Sequence, residues 1–526
     1  MEANTYDNIP KEKFQFAQRT DFGHDKKLDT KPVGYFHDAF RRFCKNKGAV
    51  VGGIIIIILI LFAIITPMCT PYTVDYYDTL YSGVSPKSKM FSNTSFWDGC
   101  EDVTIGYKPF IVDYAVGLET GHFIVKNNEY ETVEKGDETF YHYRRDTYYA
   151  PAFGNYKIIT GAEYRRIQAY QNETGRQVIY PTVRLRERPD NPNDTNANIY
   201  FKVQKGSIEP VLDSEGNLIP NYWTVSSLAA DVKDRIDEYD STRIEGADGI
   251  LNADGSRTYY VYAREVQGGN FEVRLEYYEY YIFKHVVDYK DGITEPYFLF
   301  GTTSDGKDIL TCLSSGARFS FIFAILVAAV NLFVGAIYGA IAGYYGGKID
   351  LVLERITDIL SAVPFMIVIT LLQLHMSSAS QILILFIAFF LTGWIGMAGT
   401  TRMQFYRYKN QEYVLAARTL GARDRRLMFK HIFPNALGTL VTSCALVIPS
   451  MIYSETNLSY LGIINLESGK ITSVGTLIAA GQASLSSTPF VALFPAVFLA
   501  LLMLSFNLFG NGLRDAFNPS LRGSEG

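Results

Sequence analysis

The feature that most constrains the fold is an uncharged run at residues 49–65, AVVGGIIIIILILFAII. About 17 helical residues, rising ~1.5 Å each, nearly cross a hydrocarbon layer ~30 Å thick. Each central Ile or Leu contributes roughly −0.3 to −0.6 kcal/mol to membrane insertion. About 48 mostly polar residues come before the run, and the TPMC sequence after it offers no small-x-small cleavage site. We therefore predict an uncleaved transmembrane helix at residues 49–69.

Five further apolar stretches follow a long polar region, and each is suited to a membrane-spanning helix. They lie at residues 319–343, 356–374, 382–399, 437–453 and 490–509. Together with the first run they predict an α-helical polytopic membrane protein with six transmembrane helices. We expect residues 305–513 to contain helices two to six.

Charge predicts the orientation of these helices. Bases exceed acids by about three in the tail at 1–48, whereas acids exceed bases by about thirteen between the first two spans. The loop at 404–434 is again rich in Arg and Lys. The positive-inside rule therefore places the tails at 1–48 and 514–526, and this loop, in the cytoplasm. Residues 70–304 are then extracellular.

The region at 70–304 has no apolar run long enough to span a membrane. Aromatic and β-branched residues predict strands at 156–159, 177–185 and 257–283, and a Gly-Gly-Asn sequence at 268–270 predicts a hairpin in the last of them. Residues 225–239 read as an amphipathic helix. We predict an inserted, strand-rich α+β domain. Five scattered cysteines without a C-x-x-C pair indicate neither a zinc site nor a disulfide scaffold.

Small residues predict close helix packing in the second span. Gly335, Gly339 and Gly343 recur every four residues and place a smooth stripe on one helix face. Asn331 and Asn507 lie within spans, where interhelical hydrogen bonds are the favoured interpretation.

Two local features are expected in the third span. Pro364 predicts a bend, because proline removes a backbone hydrogen bond. Arg355 and Asp358 are three residues apart and predict an ion pair on one helix face.

The most informative loop is EYVLAARTLGARDRRLMFKHIFPNAL at 412–437. Residues 413–420 predict one short helix, Gly421 supplies the left-handed residue that closes it, and residues 422–433 predict a second helix before Pro434. Ala416 and Ala417 leave little bulk at the apex, so that a partner protein's backbone can approach. An interfacial helix whose arginines bind lipid head groups explains the same residues equally well.

A family resemblance separates these two interpretations. The sequence A-A-x-x-x-G from Ala416 to Gly421, followed by H-I-F-P-N at 431–435, resembles the cytoplasmic motif of permease subunits in binding-protein-dependent ABC importers. Leu415 stands where the motif usually has Glu, and Glu412 is an acid that could replace it. Segments at 301–310, 316–320, 342–347, 358–364 and 507–515 resemble the oligopeptide, dipeptide and nickel permeases of the second type in the same order. The resemblance covers about 301–522 and leaves most of 70–304 outside it.

The resemblance implies a type I ABC importer permease fold, in which this loop is a coupling helix seated in a groove of an ATPase. The implied coupling residues are Glu412, Leu415, Ala416, Ala417, Leu420, Gly421, Ala422, Arg423, Arg425 and Arg426. The implied partners are a homologous second permease subunit, two ATP-binding-cassette ATPase subunits, a lipid-anchored extracellular substrate-binding protein and membrane lipid. Nucleic acid is not expected, and peptide is the expected cargo.

The chain itself carries no complete G-x-x-x-x-G-K-S/T motif, and its nearest match ends in Asp308 where a magnesium-binding hydroxyl is needed. We therefore expect no enzyme activity, no metal and no cofactor on this chain, with ATP and Mg on the partner ATPases. The alternative is a membrane-anchored extracellular receptor or cell-wall-binding protein. A mere anchor has no need for a helix-Gly-helix loop. An ion channel or secondary transporter would instead need paired acids within its spans.

Overall fold

A computed structural model describes residues 35–91, 94, 96–122, 125–136, 138–149, 155–183, 199–204, 207–225, 239–240, 250–251, 254–466 and 472–517. In these residues, five helices are long and apolar enough to cross a membrane, and a bent helix pair makes up to six. The pair bends by 72° between its two helices. The bend predicted at Pro364 is therefore confirmed, and it separates two helices rather than kinking one.

The helices before and after the polar region form the membrane bundle. Before the polar region lie α1 (Tyr35–Lys45) and α2 (Lys47–Cys69). After it come α6 (Ile309–Tyr345), α7 (Gly347–Ser361), α8 (Phe365–His375), α9 (Gln381–Tyr408), α10 (Glu412–Thr419), α11 (Asp424–Arg426), α12 (Phe433–Tyr460), α13 (Val474–Ala483) and α14 (Phe490–Phe517). The polar region itself contains the helices α3 (Tyr107–Thr120), α4 (Gly161–Thr174) and α5 (Tyr277–Phe283).

The bundle core is built from apolar side chains of α2, α6, α9, α12, α13 and α14, among them Leu59, Leu313, Leu385, Ile452 and Leu502. Glycines allow the closest helix contacts. A Cβ atom on Gly52 of α2 would lie 2.6 Å from the carbonyl oxygen of Ser505 on α14. The chain can therefore bring α2 and α14 together only because this position has no side chain.

Asn331 of α6 is buried and points its Nδ2 at the carbonyl oxygen of Phe389 on α9, 3.5 Å away. The interhelical hydrogen bond predicted for it is confirmed. Asn507 is exposed on α14. The predicted pair of Arg355 and Asp358 is confirmed at 3.0 Å.

The polar region contains small antiparallel sheets. Three strands form the first in the order β1 (Cys100–Gly106), β3 (Glu138–Asp146), β2 (Val125–Lys135). The second has the order β4 (Asn155–Thr160), β12 (Asn270–Leu275), β11 (Ala263–Val266), β8 (Tyr239–Asp240), and β5 (Ile179–Tyr180) also pairs with β12. Two further pairs are β6 (Phe201–Gln204) with β7 (Ser207–Pro210), and β9 (Ile250–Leu251) with β10 (Arg257–Thr258).

These strands can be compared with the predicted ones. β4 covers the strand predicted at 156–159, and β11 and β12 form the hairpin predicted around Gly268, with Val266 opposite Asn270. The strand predicted at 177–185 is reduced to β5 within the described residues. The extension of the last strand through residue 283 is wrong, because residues 277–283 form helix α5. The helix predicted at 225–239 lies almost entirely outside the described residues.

The tyrosines of α5 favour strands, but these residues are helical because the packing around them, on nearly every side, determines their structure. Tyr278, Tyr281 and Ile282 are buried against Tyr81 and Phe298. This aromatic cluster lies at the base of the polar region, next to the membrane bundle.

The aromatic junction, as we call Trp97, Phe300, Gly301 and Phe494, joins the polar region to the bundle. Phe300 and Trp97 each stack on Phe494 near the start of α14, with centroid separations of 4.2 and 6.1 Å. Gly301 has a φ of +77°, and a Cβ atom there would lie 2.5 Å from the carbonyl oxygen of Val84. The junction is therefore closely packed.

A buried carboxyl group in the polar region makes its stability depend on pH. Glu276, at the start of α5, is 3 % exposed, and burial raises its pKa from 4.5 to about 8. The unfolded chain releases this proton above the ordinary pKa, whereas the folded chain retains it up to about pH 8. The contribution to stability is therefore complete below about pH 4.5 and is lost as the pH rises from there to about 8.

We expect Glu276→Gln to flatten this pH dependence, because a neutral amide has no proton to lose. Melting of the full-length chain in lipid nanodiscs at pH 5 and pH 8, followed by Trp223 fluorescence with Trp97 and Trp394 replaced by Phe, measures this pH dependence. Glu265→Gln, on the partly exposed face of β11, is the matched control and should keep the wild-type slope. An unchanged slope in the Glu276 variant would show that this carboxyl is not its source.

Candidate functional site

The loop between α9 and α12 begins with α10, whose end is closed by a Schellman motif. The amide of Ala422 donates to the carbonyl of Ala417 at 3.1 Å, and that of Gly421 donates to the carbonyl of Arg418 at 2.9 Å. Gly421 has a φ of +81°, as this motif requires of the residue after the helix. The chain then turns into α11, which continues through a π-helical turn (Leu427–Ile432) into α12.

The inner face of the loop is anchored in a small apolar core. Val414, Leu427 and Ile432 are fully buried with Tyr344 of α6 and Phe405 of α9. This core connects the loop to the ends of two long helices. A force applied to α10 therefore reaches α6 and α9 through side-chain packing.

The outer face of the loop carries apolar side chains that nothing in the described chain covers. Leu420 is 88 % exposed and Leu415 is 43 % exposed, and Ala416 and Gly421 are exposed beside them. We call these four residues the outer face. Exposing a leucine this fully has no benefit within the chain, so the outer face is suited to contact another protein.

The two alanines expected together at the apex do not lie together. Ala416 is exposed, whereas Ala417 and Ala422 are partly buried against the inner core. Consecutive helical positions point about 100° apart, so Ala417 is turned toward the inner core while Ala416 faces outward. Ala417 therefore supports the loop from inside.

Charged groups surround the outer face. Glu412, Arg423, Arg425 and Arg426 are all exposed. Arg418 donates to the hydroxyl of Tyr344 at 3.2 Å, and that hydroxyl donates to Asp424 at 2.5 Å. The hydrogen-bonded chain ties both halves of the loop to α6 and leaves the other arginines available to a partner.

An ion cluster that the sequence did not predict lies next to the loop. The guanidinium of Arg402 on α9 donates to both oxygens of Asp350 at 2.6 and 2.7 Å and to Glu354 at 3.0 Å. Tyr406 also donates to Asp350, at 2.5 Å. Asp350 and Glu354 share a face of α7 at i, i+4, which is visible in the sequence, but nothing there indicates their partner on α9. The cluster fixes α7 to α9.

The glycine stripe of α6 lies directly against α9. Cβ atoms on Gly335, Gly339 and Gly343 would lie 2.7, 2.2 and 2.6 Å from carbonyl oxygens of Trp394, Ala398 and Arg402 respectively. These distances are shorter than any real contact, so no larger residue fits without moving a helix.

We expect Gly339→Leu to destabilise the bundle by about 1–3 kcal/mol or more, because its side chain would displace the backbone of α9. The measurement is the thermal midpoint of the full chain in nanodiscs. Gly399→Leu, on an open part of α9 where a Cβ meets nothing within 4 Å, is the control. Equal loss in both variants would show that the stripe does not set the helix spacing.

Comparison with known proteins identifies the family. A model of the binding-protein-dependent transport system inner membrane component matches residues 335–523, and a model of the N-terminal transmembrane domain of oligopeptide transport permease C matches 34–86. The oligopeptide transport system permease protein OppC of Bacillus subtilis is 42% identical over 223 residues, 42% of this chain and 72% of that protein. This chain belongs to the oligopeptide and dipeptide permease family of ABC importers. The resemblance read from the sequence is confirmed.

Other family members give similar matches. OppC of Haemophilus influenzae is 39% identical over 228 residues, covering 43% of this chain and 72% of that protein. The dipeptide transport system permease protein DppC of Bacillus subtilis is 38% identical over 224 residues, covering 42% and 69%. Among solved structures, an inward-facing MetNI methionine ABC transporter covers 39% of this chain and 96% of its own, with 16% identity and a TM-score of 0.31.

Family membership makes this chain a multi-pass membrane permease component, a class of proteins that are not enzymes themselves. Residues 87–334 lie outside both family models. The loop at 404–434 lies inside the larger one. The described residues hold no group of three His, Cys, Asp or Glu side chains that could bind a metal ion.

Proposed function

We propose that this chain is one of two permease subunits of an ATP-driven peptide importer, and that its loop couples it to separate ATPase subunits. The observation that carries this proposal is the outer face, where Leu420 is 88 % exposed on a loop whose inner side is locked to α6 and α9. Such a face requires a partner, and the core behind it supplies a mechanical connection to the bundle.

The mechanism follows from that connection. Two ATPase subunits hold ATP and Mg and close on them, and each contacts a permease loop. Movement of α10 is carried by Val414 and Leu427 to the helix ends and by the Arg402 cluster to α7. The helices then tilt and open a pathway, shared with a homologous second permease, alternately to each side of the membrane.

The proposed orientation puts the loop in the cytoplasm and residues 70–304 outside the cell. The structure supports this arrangement by placing the two features at opposite ends of the bundle. Gly301 lies at the starts of α6 and α14, whereas Gly343 lies at the other end of α6 against α9. The excess of acids in the polar region and of bases in the loop agrees with it.

The polar region is proposed to shape the outer vestibule and to dock a lipid-anchored substrate-binding protein. The aromatic junction supports this proposal, because it packs the polar region against the start of α14. In the proposed mechanism, this end of the bundle opens to the outside. A receptor or cell-wall-binding role for the same region is the competing function, favoured by the absence of residues 87–304 from both family models.

The test is affinity purification of the full chain from its native membrane in detergent, with mass spectrometry of the proteins that co-purify. The proposal expects two ATPases and a second permease, and reconstitution of that complex with its binding protein should give ATP-dependent peptide uptake. A chain that purifies alone, while other ABC complexes survive the same detergent, would favour the anchored receptor.

A further inference from the structure

A polar cavity lies where α9, α12 and α14 meet, at the loop end of the bundle. Its volume is about 360 Å³, and it is open to one side. Its lining includes Gln404, Arg407, Thr439, Ser443, Leu446 and Arg514. Two of these residues, Gln404 and Arg407, lie in the last turns of α9, directly before the loop that carries α10.

The cavity carries two positive charges and no negative one. Arg407 and Arg514 line it, and none of its lining residues is acidic. Among the described residues neither guanidinium has a carboxylate partner, and Arg407 rests only on the ring of Tyr408, 5.7 Å away. Both arginine side chains are exposed, and two positive charges lining one cavity favour the binding of an anion there.

The remaining polar groups suit a particular kind of anion. Hydroxyl groups of Thr439 and Ser443 can donate to it. The Oε1 atom of Gln404 is buried and has no hydrogen-bond partner in the described residues, so it needs a donor from the ligand. The carboxyl end of a peptide supplies both, because its carboxylate faces the arginines and its last backbone N–H can donate to Gln404. The phosphodiester group of a lipid has no donor of its own, so a lipid would have to reach Gln404 with a head-group hydroxyl or amine.

A polar stripe on α12 leads away from the cavity. Thr439, Ser443, Ser450, Ser454 and Asn457 are spaced to share one face of the helix, and Ser450 and Asn457 are exposed. Helix surfaces in contact with lipid are apolar, whereas polar ones within a membrane line water or contact protein. The stripe runs from the cavity toward the far end of the span, with Leu446 between its two halves on the same face.

We propose that this cavity binds the carboxylate end of a peptide in transit, through Arg407 and Arg514. This inference rests on the proposed function, since it names the part of the cargo that the pathway holds last before release. A ligand here would bridge α9, α12 and α14. Its release would free the helices that carry the loop.

The experiment uses the purified complex with its binding protein in phosphatidylcholine proteoliposomes. Initial ATP-dependent uptake is measured for one peptide with a free C-terminal carboxylate and for the same peptide amidated. Arg407→Gln and Arg514→Gln should each lower uptake of the free acid about tenfold, the usual effect of losing one charge-assisted hydrogen bond, and leave uptake of the amide within about twofold. Lys348→Gln, another exposed base, should change neither.

The outcomes are distinguishable. Equal losses for both peptides would overturn the carboxylate site, and losses that require added phosphatidylglycerol would assign the cavity to lipid. Wild-type complex that takes up neither peptide would instead refute the proposed function. Arg407→Lys and Arg514→Lys retain the charge and should keep most of the free-acid uptake, so an assembly defect in the Gln variants would not conceal the result.

Discussion

Leu420→Asp is expected to reduce ATP-dependent uptake by about 100-fold and to remove the ATPase subunits from the purified complex. Leu420 is 88 % exposed and central to the outer face. A central apolar residue at an interface typically contributes about 2–4 kcal/mol, which corresponds to roughly 30- to 1,000-fold in affinity. A carboxylate buried at the same place would cost at least as much.

The same substitution should leave the permease folded, because a side chain this exposed contributes within about 0.5 kcal/mol to stability. Co-purification, uptake and thermal melting are measured on the same preparations. Leu212→Asp places a charge on an equally apolar residue of the polar region, 49 % exposed, and should retain the ATPase subunits. ATPases that remain bound to the Leu420 variant would disprove the outer face as their docking surface.

Arg274→Met is expected to lower the stability of the polar region by about 3–5 kcal/mol. Arg274 and Glu119 form an ion pair whose side chains are 2 % and 1 % exposed, with Arg274 Nη1 3.0 Å from Glu119 Oε2. Tyr222 donates to Glu119 at 2.6 Å, and Arg274 donates to the carbonyl of Pro181 at 2.7 Å. Removing the guanidinium leaves a buried carboxylate with too few donors.

Unfolding of the full chain in nanodiscs, followed by the fluorescence of the buried Trp223 with Trp97 and Trp394 replaced by Phe, gives the stability of this region. Arg274→Met with Glu119→Leu should restore most of the loss, because no charge then remains buried. Arg264→Met is the control for losing a more solvated pair, since Arg264 and Glu272 are 25 % and 16 % exposed, and should cost about 1 kcal/mol or less. Loss no greater in Arg274→Met than in Arg264→Met would contradict the argument.

The sequence was sufficient where a single segment determines its own structure. The apolar runs predicted the spans, Pro364 the bend, and Gly268 the hairpin, because chain length, a missing N–H and a positive φ act locally. Gly421 closes α10 by the same local rule. The family motif supplied the proposed coupling role of the loop, which composition alone left open.

It was insufficient where distant segments meet. Residues 277–283 have the composition of a strand but form α5 because tertiary packing determines their state. Arg402 joins acids some 50 residues away, and Arg274 joins Glu119 across an even longer separation. The cavity at Arg407 needs three helices to exist. Each of these pairings is a property of the folded chain rather than of any window within it.

The aromatic junction has a mechanical consequence for the region it supports. Phe300 and Trp97 stack on Phe494, and the backbone at Gly301 lies against the carbonyl of Val84. We therefore expect the base of the polar region to move together with α14. A tilt of α14 would then displace the far end of the polar region by more than it displaces the base. If the chain works as the proposed importer, an antibody fragment that immobilises the far end of the polar region should slow transport.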